Sequence, residues 1–223
     1  MFTALMYKGI IFDLDGTLID SAQIVADVLN RMRHQKGKDA LGIEWYRSWS
    51  SEGGEVLVGN ALDLPLKDAI QLVPEFRKNY FDLPTPIESI YPGVIDMLRE
   101  FKSRNIRMAI CSNKPENLCR KVLKETPLCD FFEVVIGGDT LSKKKPDPEP
   151  LIYSVKKILL HINKVLYVGD SSIDKNTAMA ANIDFAHFMG GYDSSLSLDS
   201  NDIAFKAHNL LVLDLISREK ISE

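Results

Sequence analysis

Acidic residues lie directly after the first apolar run of the chain. In IIFDLDGTLID, residues 10–20, a run typical of a buried strand ends at Asp13 and Asp15, and Asp20 follows shortly afterwards. Carboxylates this close together repel one another and are costly to remove from water. A cation, a proton or a bound ligand is therefore expected to relieve the repulsion.

Polar residues also end two later strand-like runs. IRMAICS ends at Ser112, which Asn113 follows, and KVLYVGD ends at Asp170, a short distance before Asp174. Ligands bind at the carboxyl ends of the strands in open parallel sheets. We therefore expect these residues to meet the acidic pair of the first strand in one crevice.

The residue types in this expected crevice suit phosphate chemistry. Its candidate ligands are carboxylate oxygens, a set that favours a hard cation, and magnesium is the usual occupant. Ser112, the backbone N–H groups after it and Lys145 add donors and a positive charge, which suit a phosphoryl group. Together these groups indicate phosphoryl transfer at a magnesium site.

The order of the predicted elements indicates an α/β protein. Helix-like and strand-like stretches alternate after residue 92, a pattern that favours right-handed crossovers and a mostly parallel, Rossmann-like sheet. The first strand belongs to that sheet, but the stretch after it reads as helices. We predict an α/β core of residues 1–19 and 87–223, interrupted by an all-helical cap domain, which we call the helical insertion (residues 20–86).

Four short motifs resemble those of a known family. DLDGTL, CSNK, KPDP and VGDSSID occur in the order of the four motifs of haloacid dehalogenase-like hydrolases, and the chain resembles their phosphoglycolate-phosphatase-like branch. Each motif alone is compatible with a plain turn, a helix cap or a solvated charge run, whereas four in this order are specific. The resemblance implies a magnesium-dependent phosphatase with a cap inserted after the first motif.

The resemblance also implies a role for each motif residue. Asp13 would be the nucleophile that forms an aspartyl-phosphate, and Asp15 the general acid and then the base. The side chains of Asp13 and Asp170 and the backbone carbonyl of Asp15 would bind magnesium, with Asp174 in the second sphere or bound through water. On the phosphate, Ser112 and the Asn113 backbone would donate hydrogen bonds and Lys145 would neutralise charge.

The stretch WYRSWSSEGGEVLVGN of the helical insertion bears on the substrate. Its Gly53-Gly54 pair interrupts the helical spacing and predicts a loop facing the active site, as in similar capped phosphatases. We identify Arg47 as a candidate clamp for a substrate carboxylate, and Glu52 as a group that would oppose a small dianion. Trp45 and Trp49 lie at helical spacing and are expected in the core of the insertion.

Composition excludes several other classes of function. The net charge of −4 gives no broad basic surface for nucleic acid, and no stretch has the pattern of a signal peptide or a membrane span. Three cysteines without a CxxC pair favour reduced thiols. We expect a cytoplasmic, monomeric phosphatase of a small phosphorylated metabolite, phosphoglycolate being the first candidate. The alternatives are a sugar-phosphate mutase of the same family and a non-catalytic phospholigand-binding protein.

Overall fold

The computed structural model describes residues 7–193, 196–199 and 202–219, with side chains described as far as residue 215. Within these residues one sheet contains six strands, all parallel, in the order β3-β2-β1-β4-β5-β6. The strands are β1 (Gly9–Phe12), β2 (Arg107–Cys111), β3 (Val134–Ile136), β4 (Val165–Gly169), β5 (Asp184–Phe188) and β6 (Ile203–Phe205).

Both faces of the sheet are covered, as the apolar composition of β1 predicts. Ile10 and Phe12 belong to one apolar cluster and Ile11 to another, because successive side chains of a strand point to opposite faces. All four residues of β1 are buried. The predicted α/β fold with a parallel sheet is confirmed.

Helices flank the sheet and also fill most of the stretch after β1. In the core they are α5 (Val94–Ser103), α6 (Glu116–Glu125), α7 (Glu149–Lys157), α8 (Ser172–Ala181) and α9 (His208–Glu219). In the helical insertion they are α1 (Ala22–Gln35), α2 (Ile43–Trp49), α3 (Gly54–Leu62) and α4 (Leu66–Asp82). These four helices pack on one another, and α4 also contacts α6 of the core. The domain boundaries at residues 20 and 86 stay a prediction.

The expectation that both tryptophans lie in the core of the helical insertion is wrong for Trp45. Trp45 is 56% exposed, whereas its neighbour Tyr46 is fully buried and donates a hydrogen bond from its hydroxyl to Asn30 at 2.5 Å. Trp49 is only partly buried against the core cluster, and the Trp45 ring packs on it from outside, 5.7 Å away between centroids. The helical spacing of the two tryptophans thus marks the edge of the buried face.

Across the described part of the chain, every helix is too short or too polar to cross a lipid bilayer.

Candidate active site

The crevice lies at the carboxyl ends of three neighbouring strands, β2, β1 and β4. Phe12 at the end of β1 pairs with Ile110 of β2 on one side and with Val168 of β4 on the other. The backbone N–H of Asp13 donates to the Val168 carbonyl at 2.9 Å. The polar residues that follow the three strands therefore emerge side by side.

Three buried carboxyl groups form the floor of the crevice. Asp13, Asp170 and Asp174 place carboxylate oxygens within 4.8 Å of one another. Burial, with repulsion from Asp174, raises the pKa of Asp13 to about 6, although Lys145 opposes the shift. Burial and the two neighbouring carboxylates raise the pKa of Asp170 well above its usual range. Buried carboxyl groups with raised pKa values fit a site for a hard divalent cation. The positive charge of the cation would stabilise their ionised forms and offset their mutual repulsion.

Lys145 is the cation at the centre of this cluster. Its Nζ lies 2.9 Å from Asp13 Oδ1 and 2.6 Å from Asp174 Oδ1, and it donates a hydrogen bond to the Tyr167 hydroxyl at 2.9 Å. Burial alone would lower the pKa of Lys145, but the charges of Asp13 and Asp174 raise it. Lys145 is therefore a fixed ammonium beside the predicted nucleophile. Tyr167 lies inside an apolar strand-like run, so the sequence analysis did not identify it as a site residue.

Both carboxylate oxygens of Asp174 accept hydrogen bonds from neighbouring residues. Oδ1 accepts hydrogen bonds from Lys145 and from the Tyr167 hydroxyl, and Oδ2 accepts from the backbone N–H and the hydroxyl of Ser171. The Asp174 backbone N–H in turn donates to Ser171 Oγ at 3.3 Å, and together with the bond from the Ser171 backbone N–H it forms the capping box that begins α8. Burial raises the pKa of Asp174, but Lys145 and these hydrogen bonds outweigh it and lower the pKa. Such a carboxylate is suited to hold Lys145 in place.

Asp170 is oriented by the loop that follows β1. The Thr17 hydroxyl donates to Asp170 Oδ1 at 3.0 Å, and the backbone N–H of Tyr192 donates to Oδ2 at 2.7 Å. A Cβ atom on Gly16, whose φ is +80°, would lie 2.2 Å from Asp170 Oδ2. Glycine is therefore required in the DGT turn, because Asp170 occupies the space of a side chain there.

Ser112 and Asn113 lie at the end of β2, on the other side of Asp13. Ser112 is buried, and its Oγ accepts a weak hydrogen bond from the backbone N–H of Lys114 at 3.4 Å. The Asn113 amide donates to the carbonyls of Lys145 at 3.0 Å and of Ser51 at 3.3 Å. Asn113 thus joins the lysine loop to the helical insertion.

Asp15 is not part of the carboxylate triad but faces a second lysine. Lys114 Nζ lies 2.8 Å from each Asp15 oxygen and 4.4 Å from the centroid of the Tyr80 ring in α4. Burial alone would lower the pKa of Lys114, but the charges of Asp15 and the Tyr80 oxygen raise it. No role was predicted for Lys114, although its place two residues after Ser112 in CSNK was the available signal.

Arg47 and Glu52 lie apart from this second lysine. The Arg47 guanidinium is bonded to Asp20 at 2.9 Å and to Glu44 at 2.7 Å. Arg47 and Glu52 line a cavity of about 420 Å³ that also contacts Ser171. The role of Arg47 as a carboxylate clamp stays a prediction, and its guanidinium is already paired with two carboxylates.

Gly53 and Gly54 form the junction between the helical turn at Ser50–Glu52 and α3, as the predicted loop requires. A Cβ on Gly53 would lie 3.0 Å from Lys144 Nζ of the core. A Cβ on Gly54 would contact Val73 at 3.5 Å and the Arg77 guanidinium at 3.8 Å. The glycine pair therefore faces both the lysine loop and α4.

Comparison with known proteins places this arrangement in a family. A family model described as haloacid dehalogenase-like hydrolase matches residues 10–188. The chain is 36% identical over 214 residues to a phosphoglycolate phosphatase of Rhodobacter capsulatus, covering 93% of this chain and 95% of the relative. It is 33% identical over 220 residues to a phosphoglycolate phosphatase of Pseudomonas putida, covering 96% and 80% of the two chains.

Solved structures show the same fold. The crystal structure of a predicted phosphoglycolate phosphatase from Haemophilus somnus has a TM-score of 0.82 at 24% identity, covering 94% of this chain and 98% of that one. A β-phosphoglucomutase from Clostridium difficile has a TM-score of 0.77 at 19% identity, covering 96% and 99%. The resemblance inferred from the four motifs is confirmed by the family model and by the sequence relatives. The chain belongs to the haloacid dehalogenase-like hydrolase family.

Proposed function

We propose that the protein is a magnesium-dependent phosphatase of a small phosphate monoester, with phosphoglycolate as the first candidate. The observation that carries the proposal is the convergence of Asp13, Asp170 and Asp174 around Lys145 at the ends of the sheet strands. The relatives named phosphoglycolate phosphatase, at 33% and 36% identity, support the choice of substrate.

In the proposed reaction Asp13 attacks phosphorus. Its Oδ1 accepts from Lys145, which leaves Oδ2 to form the new oxygen–phosphorus bond while the bond to the leaving oxygen breaks. Asp15 donates a proton to the leaving oxygen, and then takes a proton from the water that hydrolyses the aspartyl-phosphate. As the acid, Asp15 must carry a proton when the substrate binds, so one of the two contacts with Lys114 must open for that oxygen to take up a proton from water and to face the leaving oxygen.

Magnesium would be held by the side chains of Asp13 and Asp170 and by the Asp15 backbone carbonyl, with Asp174 behind them. When bound, it supplies positive charge that offsets the carboxylates and the phosphoryl oxygens. Lys145 adds a second fixed charge beside Asp13, and Ser112 offers a hydroxyl donor on the opposite side. The nucleophile and its charge partners are thus in position before the substrate binds.

The test is an assay of the purified chain with p-nitrophenyl phosphate and 2-phosphoglycolate, with magnesium and with a chelator. We expect release of inorganic phosphate that depends on magnesium. Asp13→Asn should abolish it without changing the circular dichroism spectrum, because the amide has a similar shape but is a poor nucleophile. Wild-type turnover by Asp13→Asn would contradict the assignment of the nucleophile. A folded, magnesium-loaded wild type without turnover would refute the enzyme and favour a phospholigand-binding protein.

A further inference from the structure

A small cavity lies between the Asp15 side of the crevice and the helices of the insertion. Its walls include Asp15, Asn113 and Lys114 of the core and Ser21 and Arg77 of the segment that contains α1–α4. The leaving oxygen must lie within reach of the predicted general acid, and Asp15 lines this cavity but not the larger one beside Arg47. The leaving group of a monoester attacked by Asp13 therefore belongs in this small cavity.

The volume of the cavity limits the size of that leaving group. It encloses about 50 Å³. A single water needs roughly 10–15 Å³ on this measure, so the cavity holds a group of about four non-hydrogen atoms. The carboxymethyl part of phosphoglycolate matches this size, whereas a sugar ring is larger. Apolar side chains complete the walls and suit a methylene group: Val25, Leu57, Phe76, Tyr80, Pro115 and Leu118.

Two polar groups on the walls, the Arg77 guanidinium and the Ser21 hydroxyl, have few or no partners within the described residues. The Arg77 guanidinium forms no hydrogen bond there, and its one ion pair, with Glu55, is long at 4.0 Å. Glu55 is itself held at 3.0 Å by Lys144. The Ser21 hydroxyl is 1% exposed and has no hydrogen-bond partner. A buried hydroxyl without a partner, beside a guanidinium that is 38% exposed and has only one long ion pair, indicates a ligand with acceptor oxygens.

The charges on the walls indicate that this ligand is an anion. Lys114 and Arg77 are the cationic side chains on the described walls, and Lys114 is paired with Asp15 at 2.8 Å, whereas Arg77 has only the long contact with Glu55. The contrast with Arg47 is clear, because Arg47 has short bonds to two carboxylates and lines a different cavity.

We propose that Arg77 determines the substrate class by binding the carboxylate of a phosphorylated two-carbon or three-carbon acid, with the Ser21 hydroxyl as a second donor. This inference rests on the proposed phosphatase activity. It assigns carboxylate recognition to Arg77 of α4 rather than to Arg47.

The experiment compares 2-phosphoglycolate with 2-hydroxyethyl phosphate, which has the same length but no carboxylate. For Arg77→Gln we expect kcat/KM on 2-phosphoglycolate to fall about 10- to 100-fold, mainly through KM, because a charge-assisted hydrogen bond is lost. The value for 2-hydroxyethyl phosphate should not change. Arg77→Lys, which keeps the charge, should retain part of the preference. Lys78→Gln is the matched control, since it removes an exposed charge from the same helix, and it should behave as wild type on both esters.

Several outcomes would overturn the inference while leaving the phosphatase proposal intact. One is an equal loss on both esters in Arg77→Gln, and another is a carboxylate-selective loss in Arg47→Gln instead. Absence of turnover on any ester would refute the phosphatase proposal separately. Binding still tests Arg77 in that case, in the Asp13→Asn background with magnesium. There, 2-phosphoglycolate should raise the melting temperature more than inorganic phosphate does, and adding Arg77→Gln should remove this difference while leaving the shift caused by inorganic phosphate unchanged. Retention of the difference would refute the role of Arg77.

Discussion

Three buried carboxyl groups lie together at the centre of the site, and one buried lysine pairs with two of them. Lys145 bonds to Asp13 and Asp174, while Asp170 is held by Thr17 and by a backbone N–H. Ionised together, the three acids would leave an excess of negative charge in a medium that solvates it poorly. Protonation relieves the excess in the absence of a cation, which is why the pKa values of Asp13 and Asp170 are raised. A divalent cation relieves it without a proton, so the arrangement is suited to bind one.

At the same scale, sequence reasoning selected candidate residues that stand in a motif and passed over those that do not. Asp13, Asp170 and Lys145 each stand in a recognisable motif, and the structure brings them together. Tyr167 lies inside a strand and Arg77 in the middle of a helix, where one sequence gives no signal for a site. Their place in the site depends on packing between distant segments, which spacing along the chain does not encode.

His208 provides a prediction about pH. The ring is buried, with Nε2 2.8 Å from the Thr17 carbonyl, and burial lowers its pKa to about 4. In the unfolded chain the value is about 6.5. Between these values the unfolded chain binds a proton that the native state excludes, so the free energy of unfolding falls as pH decreases through the window, by about 3 kcal/mol in total.

The measurement is urea unfolding across that pH window for the wild type and for His208→Phe. The phenyl ring keeps the contacts with Phe188 and Phe205 but has no titrating group. We expect the variant to be less stable at neutral pH, because the bond to Thr17 is lost, and to show a flatter pH dependence. Equal slopes for the two proteins would refute the assignment to His208.

At the scale of elements, the strands and helices of the core follow their apolar patterns. The strand-like stretches KGIIFDL, IRMAICS, FEVVIGG, KVLYVGD and IDFAHFM predict β1 to β5, whereas β6 and α9 were not predicted. β6 contains three residues, IAF, which is too short for an alternating pattern to be read. It is recognisable only in the sheet, where Ala186 of β5 pairs with Ile203.

The junction between α2 and α3 carries a second prediction. Gly53 has φ +99° and ψ 162°, a conformation that residues with a side chain rarely adopt. Gly53→Ala should therefore lower the free energy of unfolding by about 1–3 kcal/mol. Gly54→Ala is the matched control, because its Cβ would make only ordinary contacts and alanine favours a helix.

Urea denaturation of the two alanine variants measures the difference. Gly54→Ala should be as stable as the wild type or more so. If both variants lose the same stability, the cost comes from the crowding of the loop rather than from the backbone of Gly53.

At the scale of the whole molecule, the helical insertion lies closed over the core. Lys144 bonds to Glu55 of α3 at 3.0 Å, Asn113 donates to the Ser51 carbonyl, and Lys114 lies over the Tyr80 ring. Closure of this kind excludes bulk water from a reacting centre. The alternation of helices and strands predicted an insertion, but its position depends on contacts such as Lys144 with Glu55, which are 89 residues apart. Asn113, Lys114 and Tyr80, which take part in these contacts, also line the small cavity.

The central claim is that Asp13 captures phosphorus covalently, and trapping the intermediate tests it most directly. The wild-type protein is mixed with 2-phosphoglycolate and magnesium, quenched within the first turnover in borohydride, digested and analysed by mass spectrometry. An aspartyl-phosphate is reduced by borohydride to an alcohol, whereas a free carboxylate is not. The account predicts reduction at Asp13, dependent on substrate and magnesium and absent in Asp13→Asn. Reduction at a different carboxylate, or none during measurable turnover, would contradict it.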